Sequence, residues 1–230
     1  MKIIISPTKT MKRKAYTSKK SVPFFLDKSL KLRSILEDYD KVKIKKNFKV
    51  SDKLTEKIHD FYQKPKEPIA AINLYEGLAF KNMELETFSE NDLDFLKEHL
   101  YIMSAMYGAL RPYDHIMEYR LDYIMKFEKN LYDYWTKALT DLLKDEDVII
   151  NLASNEFLKS ISHPNIIDIH LLDEKGRALS TQAKMGRGNM IAYITKNKIT
   201  DIEKLKEYSN LDYKFDKNRS DSNNYYFTKE

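Results

Sequence analysis

Four short apolar runs constrain this chain more than any other feature: Ile3-Ile4-Ile5, Leu100-Tyr101-Ile102-Met103, Val148-Ile149-Ile150, and Ile166 to Leu172. Each has the length of a buried strand, and none approaches the roughly 20 apolar residues that span a bilayer. The first run stops at Pro7 and is also too short for the core of a signal peptide. The expected setting is therefore cytoplasmic, with no membrane partner.

Between these runs the pattern turns helical. Leu32, Ile35, Leu36 and Tyr39 fall at i, i+3, i+4 and i+7. Ser51 reads as an N-cap for a stripe of Leu54, Ile58, Phe61 and Tyr62, closed by Pro65 and Pro68. Ser89 and Asp92 read as a capping box, and Leu131 to Leu142 as another helix. Val42, Ile44, Phe48 and Val50 alternate with lysines and predict a strand or an extended linker. Glu174 to Arg177 predicts a turn into a second strand, Ala178 to Ala183, with a helix only from about Asn189 to Lys196. A Thr200/Glu203 capping box predicts one more helix, and the aromatic tail from Tyr213 to Phe227 predicts strand. The elements are intermixed without clean βαβ repetition, internal repeats or a long linker. The fold class expected is mixed α/β, α+β-like: one domain over residues 1–230, with a mixed sheet, flanking helices and a basic cleft.

Charge is unevenly spread. Residues 1–50 hold 15 Lys/Arg and 4 Asp/Glu, a net of +11, against +5 for all 230 residues. The window from Lys175 to Lys198 holds 6 basic residues and no acidic one. Such clusters suit a polyanion-binding face, although scattered lysines also simply solvate a surface. There is no cysteine, so thiol peroxidase chemistry, disulfides and thiolate metal sites are excluded. No phosphate loop, dinucleotide fingerprint or nucleophile elbow occurs, and the five histidines show no metal-ligand spacing. No cofactor, haem or metal is expected. Gly186 to Ala192 fits the small-residue spacing of a DNA-binding helix-hairpin-helix turn, a weakly specific pattern.

Four polar segments remain. Ser6-Pro7-Thr8-Lys9-Thr10-Met11 follows a buried strand, where loops commonly meet ligands. Tyr107 to Asp114, continuing through Tyr119-Arg120-Leu121, concentrates two arginines with tyrosines and an aspartate. Arginine offers a planar fork for phosphate or carboxylate. Asn151-Leu152-Ala153-Ser154-Asn155-Glu156-Phe157 runs a strand into a helix N-terminus, where orphan N–H groups favour anions. Ala183 to Met190 sets Lys184 and Arg187 on what reads as a glycine-flexible loop.

In this order the four segments resemble the YaaA family of bacterial peroxide-stress proteins. That family carries Ser-Pro-Ala-Lys-Thr, Tyr-Gly-Leu-Leu-Arg-Pro-Leu-Asp leading to Pro-Tyr-Arg-Leu, Asn-Leu-Ala-Ser-x-Glu, and Lys-Lys-Ala-Arg-Gly-x-Met. The resemblance covers essentially the whole chain. It implies an unusual mixed α/β fold with a basic cleft, binding of double-stranded DNA, a role in limiting oxidative damage and free iron, and no established enzymatic reaction. Three departures stand out: Thr8 for alanine, Glu118 for proline, and Met185-Gly186 for Lys-Ala.

On this resemblance, Lys9, Arg13, Lys184 and Arg187 are expected at DNA phosphates, with Arg111 and Arg120 deeper in the cleft and Ser154 as a further anion-binding residue. The rival reading is an enzyme acting on a nucleotide, base or other small anion, with Tyr75, Asp114, Tyr119, Asn151 and Glu156 as its polar groups. A third reading makes Arg111, Asp114 and Arg120 an internal salt-bridge network and Ser154 a plain N-cap.

Overall fold

The three isoleucines of the first apolar run are at most 1% exposed. Burying each such side chain stabilises the fold by about 1.5–3 kcal/mol. They form the centre of the sheet in the computed structural model, which describes residues 1–229. In chain order the strands are β1 (Lys2–Ile5), β2 (Ile69–Ala70), β3 (Leu100–Ser104), β4 (Gly108–Leu110), β5 (His115–Ile116), β6 (Ile149–Leu152), β7 (Ile166–Leu172), β8 (Tyr213–Phe215) and β9 (Asn224–Lys229). The α-helices are α1 (Leu26–Glu37), α2 (Lys41–Phe48), α3 (Asp52–Gln63), α4 (Ala71–Leu74), α5 (Leu78–Lys81), α6 (Glu90–His99), α7 (Leu131–Leu143), α8 (Asn155–Leu158) and α9 (Ser180–Lys196).

Seven strands make one mixed sheet in the order β4-β3-β1-β6-β7-β9-β8. The run from β3 to β9 is parallel, and the edge strands β4 and β8 are antiparallel to their neighbours. β2 and β5 form a separate two-stranded ribbon. A single hydrophobic cluster unites the sheet with the helices. The fold is thus α/β with one domain.

β1 carries neighbours on both sides, Ile5 pairing with Ile102 of β3 and with Leu152 of β6. The chain leaves β1 toward β3 and later returns to β6 on the opposite side. Open parallel sheets bind ligands beyond the carboxyl ends of strands at such a reversal.

Several helix starts match the sequence reading. Ser51 accepts from the Leu54 N–H, and Ser89 with Asp92 forms a reciprocal capping box. Three segments differ from it. Residues 41–48 are helical, not extended: Asp40 caps α2 by accepting the Lys43 N–H at 2.7 Å, and Ile44 and Phe48, four apart, share its buried face. An alternating pattern that includes two apolar residues four apart fits either period. The predicted strand Ala178–Ala183 is instead loop and the start of α9, which begins nine residues before the helix read from sequence. The helix-hairpin-helix reading fails with it, because Gly186 to Ala192 lies inside one continuous helix. The Thr200/Glu203 box is also absent. Asp201 caps a 3₁₀ turn, Ile202–Glu207, by accepting the Glu203 N–H.

Candidate functional site

The loop after β1 is held at both ends. Met11 bridges to Tyr75, and the backbone continues with Glu76 N–H to Thr10 O and Lys12 N–H to Leu74 O. Thr8, the residue that departs from the family alanine, lies 3.2 Å from the Glu76 carbonyl through its hydroxyl. It fits there because residue 77 is glycine: a Cβ at Gly77 would come within 2.4 Å of the Thr8 hydroxyl. Ser6 reaches across to the end of β6, its Oγ accepting the Ser154 N–H at 2.8 Å. The two loops therefore meet beyond the carboxyl ends of β1 and β6.

They enclose a cleft of about 440 Å³. Its walls carry four cations, Lys9, Arg120, Lys184 and Arg187, and two carboxylates, Asp122 and Glu156. Asp122 bridges Lys9 and Arg120, each at 3.1 Å. Glu156 accepts the Tyr123 N–H at 3.1 Å. Burial, and after it the Asp122 charge, pushes the Glu156 carboxyl above the usual glutamate range; the Tyr123 N–H and Lys9 pull the other way.

Lys184 and Arg187 are one turn apart on α9, so they project on the same side. Lys184 is exposed, whereas Arg187 is mostly sunk into the wall. The Arg187 Nε is buried without a hydrogen-bond partner, and no acidic residue pairs with this guanidinium among the described residues. Burial alone lowers its pKa from the ordinary arginine value. Two glycines set the helix at this depth. A Cβ at Gly188 would lie 1.9 Å from the Ala79 carbonyl oxygen of α5, and one at Gly186 2.7 Å from Leu171 of β7. These residues permit close packing; they do not make a flexible loop.

Several other expected residues lie elsewhere. Arg111 does not line the cleft. Its guanidinium donates to Asp114 Oδ1 through Nε at 3.1 Å and Nη2 at 2.9 Å, and Nη2 also reaches the Val22 carbonyl at 2.7 Å. Asp114 is fully buried and also accepts the Ser21 hydroxyl and the Arg111 N–H. The bracing alternative thus describes Arg111 and Asp114, but not Arg120. Arg13 is exposed on a separate depression shared with Lys57, Lys64 and Lys66, and donates to the Glu67 carbonyl at 2.8 Å. Asn151 is buried and spent on structure, donating to Asp168 at 2.6 Å and accepting the Ala153 N–H.

Tyr119 lines the cleft with its hydroxyl turned inward, 2.7 Å from the hydroxyls of both Tyr75 and Ser104. Burial raises the pKa of both tyrosines, so they are neutral donors and acceptors here. Ser154 lines the cleft as the N-cap residue of α8, and its side chain makes no capping bond. Glu118 pairs with Lys66 at 3.2 Å.

Sequence reasoning misses Asp122, Phe80 and Phe157. Asp122 is legible in principle, since positions two apart in an extended segment share a face and Arg120 stands out in the sequence. Phe80 and Phe157 carry no signal that separates a cleft wall from a core.

A family model described as peroxide stress protein YaaA matches residues 1–219. A UPF0246 protein of Clostridioides difficile is 35% identical, with all of both chains covered. UPF0246 proteins of Fusobacterium nucleatum, at 34%, and Finegoldia magna, at 35%, cover all of this chain and 99% and 98% of their own. The chain belongs to the YaaA family of peroxide stress proteins.

Proposed function

We propose that this peroxide stress protein binds double-stranded DNA nonspecifically through its basic cleft, and that it limits oxidative damage and free iron. The observation that carries the reading is the Arg187 guanidinium, partly desolvated in the cleft wall with no counter-ion among the described residues. Burying a cation unpaired is costly, and the cost is recovered when an anion arrives. Lys184 on the same helix and Lys9 across the cleft are exposed at its mouth, where a phosphate backbone could reach them. Phosphate contacts carry affinity without sequence information, so binding should be nonspecific and salt-sensitive.

The second reading, an enzyme acting on a nucleotide, base or other small anion, is favoured by one observation. Glu156 and Asp122 sit among the cations, and a backbone-phosphate site has no use for carboxylates.

The test is Lys184→Ala with Arg187→Ala, measured by fluorescence anisotropy on a short duplex at several salt concentrations beside a thermal melt. For each phosphate that the variant no longer neutralises, the salt slope should fall by roughly one unit, for all sequences alike. An unchanged slope in a folded double variant removes this helix from the DNA site.

A further inference from the structure

We propose that the cleft holds one unpaired nucleotide unit, its phosphate on Arg187 and Lys184 and its base against the apolar wall of Phe80, Tyr119 and Phe157. The inference rests on the DNA-binding reading only for where that nucleotide comes from. Size comes first. At about 440 Å³ the cleft has the volume of a small-molecule site. A duplex, whose major groove alone is about 12 Å wide, stays outside it. What enters is a single residue that has left the stack or was never in one.

Chemistry narrows the ligand further. The partnerless Arg187 offers a planar fork, which matches phosphate oxygens, and Lys184 adds a second positive charge one turn away. An isolated inorganic phosphate would need no more than these. Yet the same cleft is also walled by three aromatic side chains, each at most 6% exposed, which a base would meet as an apolar wall and not as open stacking faces. Asp122 and Glu156 supply acceptors for base amino groups or sugar hydroxyls. The same two carboxylates disfavour a polyphosphate chain, so one phosphate per ligand is the better match.

The full-length chain is titrated calorimetrically with dAMP, dTMP and inorganic phosphate. It is also assayed by anisotropy against two duplexes, one fully paired and one with a single bulged nucleotide. The expected result is affinity about 10-fold or more higher for a deoxynucleoside monophosphate than for inorganic phosphate, or for the bulged duplex than for the paired one. Arg187→Ala should weaken the nucleotide, inorganic phosphate and the bulged duplex alike, because it removes the contact they share; should this variant not fold, Arg187→Lys, which keeps the charge and loses the fork, should weaken them less. A gain with free nucleotide alone assigns a free mononucleotide, and a gain with the bulge assigns a nucleotide extruded from DNA. No gain in either arm overturns the inference, even where the paired duplex binds, and leaves the DNA-binding reading standing. A nucleotide gain with no duplex binding does the reverse.

Discussion

Glu156 is a carboxyl on the cleft whose surroundings disfavour its charged form. Its folded-state pKa is raised, so the fold prefers the protonated carboxyl. Such a group lowers stability progressively as pH rises from the ordinary glutamate value through the raised one, and the loss is complete above it. Glu156→Gln keeps a carbonyl oxygen for the Tyr123 N–H and removes the titration. The melting temperature of this variant should equal that of the parent at acid pH and exceed it increasingly as pH rises through that window. Thermal melts of both proteins across mildly acid to neutral pH check this; a difference that stays flat or shrinks refutes the assignment. Arg111 and Asp114 behave differently. They and Glu156 stand out in the sequence alike, as charged side chains within the four polar segments. Only their surroundings in the fold separate them: Asp114 is fully buried and saturated by Arg111 and Ser21, whereas Glu156 keeps a face on the cleft. A sequence displays residue types, not whether their hydrogen-bonding capacity is already used.

At the scale of elements, strands are easier to read than helices packed by glycine. β1, β3, β6 and β7 are inner strands of a largely parallel sheet, and such strands read as continuous apolar runs. α9 gives the opposite signal. Ser180, Thr181 and two glycines disfavour helix, and tertiary packing overrides that preference because α5, α6 and β7 all lie against this helix. The two glycines should then respond differently to one added methyl. At Gly188 the Cβ would meet backbone, the Ala79 carbonyl, which cannot turn aside. At Gly186 it would meet the end of the Leu171 side chain and the Tyr213 ring, and Leu171 can rotate. Alanine also gains about 1 kcal/mol over glycine in a helix interior. Gly188→Ala is therefore expected to destabilise by about 1–3 kcal/mol or more, and Gly186→Ala to be close to neutral. Urea unfolding of the two variants separates these outcomes, and equal destabilisation would mean that α9 is held by something other than its packing on α5. Gly188→Ala should also weaken anion binding, since it shifts the helix that carries Lys184 and Arg187.

For the whole molecule the decisive quantity is where positive charge stays unpaired. Along the sequence the largest excess, +11, falls in residues 1–50. In the fold much of that excess is met by acids from elsewhere: Lys2 by Glu146, Lys14 by Glu76, Lys19 by Glu90 and Asp94, Lys41 by Glu56, Lys43 by Glu128, and Lys45 by Asp52. Lys9 does reach the cleft, but already shares Asp122 with Arg120. The smaller cluster, from Lys175 to Lys198, supplies the two cleft cations that have no ion pair among the described residues, Lys184 and Arg187. Charge counts along a sequence cannot see this, because pairing joins residues far apart in the chain. The distinction is open to measurement. Lys41→Ala with Lys45→Ala removes the same two charges from the net as Lys184→Ala with Arg187→Ala, and both sites on α2 are solvent-exposed ion pairs that contribute little to stability. If DNA is held at the cleft, the α2 pair should change duplex affinity by no more than about 2- to 3-fold at moderate salt, where charges beyond about 10 Å are screened. Its salt slope should stay at the parent value while that of the α9 pair falls by about two units. Anisotropy titrations of both double variants on one duplex over a salt series make the comparison. Equal weakening in the two variants would mean that the protein attracts DNA through its overall charge, and the cleft would no longer be needed to explain binding.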